Sequence, residues 1–359
     1  MKKLSVIQII DSLNTGGAEV LAVNLANLLY EEKIDSHICV TRKEGALKKN
    51  INSNLGYIFL NRKLTLDIKA IYNLTKYIRK NNIKIIHAHS SSLFIAFCVK
   101  IINFKIKIIW HDHYGKSEEL PNRSSIFLNI MSFFVDTIIS VNSNLKKWAQ
   151  HKLSCKKVFF VNNFSTFNNF DKKTFLKGLE GKRIVHLAAL RPQKDHETLI
   201  KAFHLFCSKK KDWTLHLIGS ILNDNYSSKI LDLIESKDLK KHIFVYGSKL
   251  DIYHILNQSS IGVLSSKSEG LPIALLEYGL ANLPVIVTDV GECGKVVKQN
   301  ESGIVVAPSN FEALFEAMLK ISNSKELAEK YKKKHHLNVL KKYSKKQFVK
   351  KVVKIYIDK

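Results

Sequence analysis

Three observations predict an α/β protein made of two similar halves. Short β-branched runs alternate with amphipathic stretches along nearly the whole chain, the pattern of parallel sheets covered by helices. At 359 residues the chain exceeds the length at which one hydrophobic core keeps growing, so two domains are expected. A polar stretch rich in Asn, Phe and Lys, from Asn162 to Gly181, breaks the strand-helix rhythm and reads as a linker. The expected division is a first domain over residues 1–165, a linker over 166–182, a second domain over 183–335 and a terminal helix over 336–359. Two such halves read as Rossmann-like domains facing a cleft.

Residues 6–10 read as the first strand and residues 18–29 as the first helix, with apolar positions 18, 21, 22, 25, 28 and 29 on one face. The basic start and apolar run superficially resemble a signal peptide. The run is too short, however, and reaches Asp11 without a small-residue cleavage site, so a buried strand is the better reading. Further strands are expected at 36–40, 83–87, 107–110, 137–141 and 158–161. A second series follows at 183–187, 215–218, 243–246, 261–264 and 285–287. The lysine-rich tail from Lys332 to Lys359 reads as helical.

Apolar content of 45% supports ordinary globular packing, and no run of about 18 uncharged apolar residues predicts a membrane span. Five cysteines, odd in number and without close pairing, imply a reducing cytoplasm and no zinc site. The formal charge is +26, and only six of the 57 basic residues are arginine. Nucleic-acid readers favour arginine forks and exposed aromatics, and no such motif occurs, so nucleic acid is excluded as a partner. Lysine excess suits an anionic membrane surface, as does an apolar helix candidate over 126–135, although that stretch also reads as a core helix leading into the next strand. Reversible attachment to the inner face of the cytoplasmic membrane is therefore expected.

The most specific segment runs from Glu269 to Glu277, two carboxylates eight residues apart across a loop-to-helix junction. Gly270 permits an unusual turn, Leu271 follows it, and Pro272 suits the first helical position because its missing N–H is not needed there. Asn282 and Pro284 end the helix. A helix start beside Glu269 attracts phosphate, and carboxylates suit sugar hydroxyls. Phe244-Val-Tyr-Gly247, Asp251 and Ser266 precede the segment; Pro284-Val-Ile, Gly291 and Ser302-Gly303 follow it. In this order the pieces resemble the retaining glycosyltransferases of family 4, which have the GT-B fold, and the resemblance runs from the first strand to about Val306.

That resemblance implies transfer of a sugar from a nucleoside-diphosphate sugar to an acceptor hydroxyl, with retention at the anomeric carbon. Cell-surface polysaccharide or lipopolysaccharide assembly is the family's common setting, with a glycan or lipid-linked acceptor. The implied roles put Glu269 on sugar hydroxyls and Glu277 on the ribose, with Gly247, Ser266 and the Gly270-Leu271-Pro272 turn around the donor. The loop Asn14-Thr-Gly16-Gly17 matches the family's glycine loop, which lies against the donor phosphates. Lys194 in Pro192-Gln-Lys194 matches the family lysine that holds the pyrophosphate. The usual arginine position is Ala189, with Arg191 two residues later, so the role of Arg191 stays open. The family also carries a catalytic histidine after the strand at 107–110, here His111 or His113.

His87-Ala-His89 and His111-Asp-His113 each space two histidines at i and i+2, yet no third and fourth ligand is evident, and the chain has no Asp-x-Asp. Metal-independent catalysis without a cofactor is expected. A nucleotide-sugar epimerase, a phosphorylase or a non-catalytic nucleotide-sugar-binding protein remain alternatives on the same architecture.

Overall fold

The computed structural model describes residues 4–114, 117–165, 171–222 and 224–358. It divides into two compact units, Met1–Phe164 with Lys345–Lys359, and Ser165–Ser344.

The first unit opens with β1 (Ser5–Ser12), α1 (Gly17–Glu31), β2 (Asp35–Lys43) and β3 (Gly56–Phe59). It continues through α2 (Ile68–Lys80), β4 (Ile85–His89), α3 (Leu93–Ile102), β5 (Lys107–Asp112), α4 (Ile126–Ser132), β6 (Thr137–Ser140), α5 (Ser143–Lys152) and β7 (Val158–Phe160). All seven strands pair in parallel, in the order β3-β2-β1-β4-β5-β6-β7. Parallel sheets are covered on both faces, which is why β1, β4 and β5 are buried almost throughout. Right-handed crossovers put α2, α3 and α4 on one face, where Ile71, Leu74, Ile95, Ala96, Val99 and Met131 share a core. α2 shows how sequence sets such a helix. Asp67 caps it by accepting from the Ala70 N–H at 3.0 Å, Ala70, Ile71, Leu74 and Ile78 face inward, and Arg79 and Lys80 complement the dipole in the last turn.

The second unit contains β8 (Arg183–Leu187), α6 (His196–Lys209), β9 (Thr214–Ile218), α7 (Asn225–Ser236), β10 (Ile243–Val245), α8 (Ile252–Asn257) and β11 (Ile261–Leu264). It ends with α9 (Ile273–Leu280), β12 (Val285–Thr288), α10 (Cys293–Val296), β13 (Ile304–Val306), α11 (Phe311–Asn323) and α12 (Lys325–Lys342). Its six strands run parallel in the order β10-β9-β8-β11-β12-β13.

Several local expectations shift. The edge strand β3 was not anticipated, because four half-buried residues carry no periodic signal. The strand expected at 83–87 starts at Ile85. The tail forms two helices rather than one, and residue 336 falls inside α12, the break coming at Tyr343-Ser344. α12 belongs to the second unit, where the His336 Nδ1–H donates to Gly279 O at 2.7 Å. The last helix, α13 (Lys345–Ile357), belongs to the first unit and contacts α1. Of the stretch read as a linker, residues 166–170 lie outside the described residues. Beyond them the backbone N–H groups of Lys173 and Thr174 donate to Asp251 at 2.9 and 2.7 Å, and that of Leu176 donates to Gln258 at 3.0 Å, fastening this stretch to the second unit.

α12 lies so close to α9 that a Cβ built on Gly279 would stand 2.5 Å from Val339 Cγ2 and 3.0 Å from His335 Nε2. Gly279→Ala should therefore destabilise the chain by about 1–3 kcal/mol through overpacking. Adding Val339→Ala should cost less than the sum of the two single changes, which denaturant midpoints of the three variants would measure.

Candidate functional site

In an open parallel sheet, loops at the carboxyl ends of two neighbouring strands diverge where the strand order reverses, leaving a crevice. In the second unit that reversal lies between β8 and β11. The loop after β8 carries Lys194 and the loop after β11 carries Ser266 and Glu269. There the Lys194 ammonium donates to Glu269 Oε1 at 2.6 Å, and the Ser266 hydroxyl donates to the same oxygen at 2.6 Å. Glu269 is buried and Lys194 partly so. Three residues expected at the site thus meet on one oxygen.

Backbone bonds fix this geometry. The Ser265 hydroxyl donates to Lys194 O at 3.0 Å, and the Lys267 N–H donates to Gln193 O at 2.8 Å, lacing the two loops together. Asp195 adopts a left-handed conformation (φ 49°) and caps α6, its Oδ2 accepting from the Thr198 hydroxyl at 2.8 Å. That turn reverses the chain directly after Lys194. Gly291, at φ 56°, lies where a Cβ would overlap the carbonyl oxygens of Glu269 and Gly270, so the third loop closes on the motif only through a glycine. Arg191 stands exposed before the short turn Pro192–Lys194, outside the Lys194–Glu269–Ser266 set.

Beyond Gly270 and Leu271, Pro272 is the N-cap residue rather than the first helical one, since α9 begins at Ile273. Pro272 has no capping side chain. The helix is held instead by Tyr278, whose buried hydroxyl accepts from the Leu187 N–H at 2.7 Å and whose ring lies against Gly262. Glu277, on the same helix, accepts from the Ser165 hydroxyl at 3.4 Å, and burial pushes its carboxyl up to about 7. Gly247, at φ 67°, closes the turn after β10, its carbonyl accepting from the Gly219 N–H at 3.0 Å.

In the first unit the strand order reverses between β1 and β4. Gly16 is the N-cap of α1 and Gly17 its first residue. Gly16 has an ordinary extended φ of −114°, so its value is close approach: a Cβ there would meet the carboxylate of Glu19. Glu19 thus lies over the helix start and accepts from the Ser12 hydroxyl at 3.3 Å.

Four histidines gather on neighbouring strands of this sheet. β4 pairs with β5 so that His89 faces His111, which joins the two i, i+2 pairs into one cluster. The expectation that no third histidine joins either pair is therefore corrected: nitrogens of His87, His89 and His111 lie within 4.8 Å of one another. His87 stacks on His89 (centroids 4.6 Å apart, 5° between planes) and His111 on His113 (4.2 Å, 28°), while the pairs that cross between the strands meet nitrogen to nitrogen. Hydrogen bonds account for them. Gln8 Nε2 donates to the Tyr356 hydroxyl (3.3 Å), which donates to His87 Nδ1 (2.6 Å), and His87 Nε2–H donates to His111 Nδ1 (3.2 Å). On the other arm His89 Nε2–H donates to Gln8 Oε1 (2.9 Å), and His113 Nε2–H donates to His89 Nδ1 (3.0 Å). One set of neutral tautomers satisfies all five bonds. It leaves His111 with a buried N–H that has no partner, and His113 with a lone pair on Nδ1. Burial lowers His87 and His113 to about 3 and His89 and His111 well below the usual range. Gln8 and Tyr356 carry no motif, and their roles follow from β1 lying beside β4 and from α13 lying over that face.

The family model for Glycosyltransferase Family 4 matches residues 15–164, and that for Glycosyl transferases group 1 matches residues 167–337. The chain belongs to glycosyltransferase family 4. As a glycosyltransferase of this family it has the GT-B fold. It is similar to HepE of Anabaena in complex with UDP and glucose, with a TM-score of 0.81 at 15% identity, covering 98% of this chain and 99% of that one. The capsular polysaccharide biosynthesis glycosyltransferase CapH of Staphylococcus aureus is 26% identical over 82% of this chain and 83% of its own. The Escherichia coli UDP-Gal:α-D-GlcNAc-diphosphoundecaprenol α-1,3-galactosyltransferase is 23% identical, over 90% and 89% respectively.

Neutral burial of these histidines predicts that the chain loses stability in acid. A histidine whose folded pKa lies below its unfolded value stabilises fully above the unfolded pKa, and that stability is lost as pH falls. For His87, falling from about 6.5 unfolded to about 3 folded, the loss at pH 5 is about 2 kcal/mol. Thermal midpoints should drop between about pH 6.5 and 5. The drop should be shallower in His87→Gln; an unchanged pH profile in that variant would count against neutral burial.

Proposed function

We propose that the protein transfers a sugar from a nucleoside diphosphate to an acceptor hydroxyl, with retention and without a divalent ion. The observation that carries this reading is the ammonium of Lys194 held on the Glu269–Ser266 oxygen at the switch point of the second sheet. Breaking a glycosyl phosphate bond builds negative charge on the leaving diphosphate, and a fixed cation stabilises that charge more than it stabilises the ground state. Without donor, Lys194 and Glu269 neutralise each other. With donor, the diphosphate takes Lys194, and Glu269 turns its released oxygen to sugar hydroxyls. Glu277 meets the ribose, with Gly16, Gly17, Gly247, Gly270, Leu271 and Pro272 admitting the donor backbone-close and Arg191 as a second cation. Of His111 and His113, the proton arrangement favours His113, whose Nδ1 keeps its lone pair while His111 is wholly buried. Same-face attack, in which the leaving phosphate accepts the acceptor's proton, gives retention without an enzymic nucleophile. Likeness to CapH and to the E. coli galactosyltransferase supports a glycan or lipid-linked acceptor in cell-surface polysaccharide assembly, and the UDP and glucose bound to HepE support a nucleotide-sugar donor.

Screening nucleoside-diphosphate sugars for hydrolysis and transfer identifies the donor, and the anomeric configuration of the product tests retention. Glu269→Ala and Lys194→Ala should each lower transfer by at least about tenfold, since each removes a charged contact worth roughly 1.5–3 kcal/mol. Parent-like rates in both folded variants would remove the site.

Excess EDTA should leave the rate unchanged, because Lys194 supplies the positive charge that a metal provides elsewhere. Loss of activity restored by manganese or magnesium would contradict this.

A further inference from the structure

We propose that the outer face of α2, α3 and α4 in the first unit docks on a bilayer rich in anionic phospholipid. α4 was read from sequence either as a core helix or as an apolar surface. It is both: Met131 is buried, while Ile126, Phe127, Ile130 and Phe133 are 50–78% exposed. α3 packs between α2 and α4, with the Phe94 ring stacked on Phe127, and the exposed apolar surface continues across it through Ile102 and Phe104 to Ile68 and Tyr72. Scattered exposed apolar residues are ordinary, but this many large ones on adjoining helices mark an interaction surface. Between α2 and α3 lies a groove of about 620 Å³ with Ile68, Tyr72 and Ile102 on its walls and Lys76, Arg79 and Lys80 along it.

Charge selects the occupant. From Ile68 to His111 the sequence contains eight basic residues and no carboxylate. Lys100 is paired with Asp136, and Lys107 is bonded to carbonyls of α13, but Lys69, Lys76, Arg79, Lys80 and Lys105 stand exposed. A second copy meeting this face symmetrically would set those cations against their own counterparts, while the nearby acids Asp67 and Asp136 are engaged in capping α2 and in pairing with Lys100. A bilayer with anionic headgroups matches both features at once, taking the apolar side chains into the headgroup boundary and the cations onto phosphates. Among the described residues no helix is long and apolar enough to cross a membrane, so the face lies on the bilayer.

The test is co-sedimentation of the full chain with vesicles of phosphatidylglycerol and phosphatidylcholine, against phosphatidylcholine alone. The parent should bind the anionic vesicles at about 0.1 M salt and lose most binding by about 0.5 M. The variant Phe127→Ser/Ile130→Ser/Phe133→Ser keeps every charge and replaces exposed residues, so it should fold with the parent's thermal midpoint yet bind at least about tenfold more weakly. The variant Lys76→Ser/Arg79→Ser/Lys80→Ser should lose binding to a similar degree. Parent-like binding by the apolar variant would reduce the effect to overall charge and overturn the docking face. So would a parent that ignores anionic vesicles, including one that instead forms a dimer dispersed by the same substitutions. Vesicle binding needs neither donor nor acceptor, so its failure would leave the sugar-transfer reading untouched.

Discussion

Parallel strand order is the constraint on which the rest of this structure depends. Because every strand in each sheet points the same way, every βα loop emerges at the same edge, and a crevice opens where successive loops depart in opposite directions. Both sheets obey this rule. In the second, the reversal separates the Lys194 loop from the Glu269 loop, and the ion pair bridges the gap the topology creates. In the first, it separates the Gly16-Gly17 loop from the end of β4, where His89 and the serines after it stand. Within each sheet, chemistry-bearing residues that lie far apart in sequence come to the same edge.

The first sheet holds its polar groups at a cost that its hydrogen bonds must offset. Gln8, His87, His89 and His111 are fully buried, and buried imidazoles without partners would each be unfavourable by several kcal/mol. The amide of Gln8 offsets this by donating to Tyr356 on one side and accepting from His89 on the other, which fixes the protons of the His89–His113 arm. Turning that amide over would reverse every bond, moving the lone pair from His113 Nδ1 to His111 Nε2. The two widely separated histidine motifs are therefore joined through one side chain, with Tyr356 of α13 as the second link. Asp112, between the two candidate histidines, is engaged elsewhere: Arg123 holds it at 2.6 and 3.1 Å while stacking on Tyr114 and Trp148. That pair anchors the loop carrying His113.

What was legible in the sequence is what depends on neighbours along the chain. Apolar runs and their spacing located most strands, and the turn and helix around Glu269 were readable because Gly270, Pro272, Asn282 and Pro284 act locally. Contacts between strands were not readable in the same way. Each histidine pair looked isolated, because adjacency of β4 and β5 belongs to the sheet and not to either motif. Gln8 sits in an apolar strand with nothing to distinguish it, and Tyr356 lies in a tail whose lysine-rich periodicity runs on through the Tyr343-Ser344 break. Glu19 lies two residues beyond the glycine loop, and its place over Gly16 depends on the helix turn. Asp251 stood in the motif order, and the structure gives it a fastening role on Lys173 and Thr174.

If a donor binds as proposed above, the Lys194–Glu269 pair sets what it must do on arrival. Glu269 is buried, so leaving it unpaired and ionised would be strongly unfavourable, and a ligand that draws Lys194 away must replace the lost donor. A bare diphosphate competes for the ammonium but offers Glu269 nothing in return. A sugar nucleotide offers both, phosphate oxygens to Lys194 and hydroxyl donors to Glu269, while the Ser266 hydroxyl keeps its bond throughout. Under the sugar-transfer reading proposed above, the ion pair would discriminate for the complete donor over its nucleotide product, because the sugar would restore hydrogen bonds that the product leaves unmade. On that same proposal, release of the spent nucleotide would be assisted by the attraction between Lys194 and Glu269, the ammonium returning to the carboxylate once the sugar has gone.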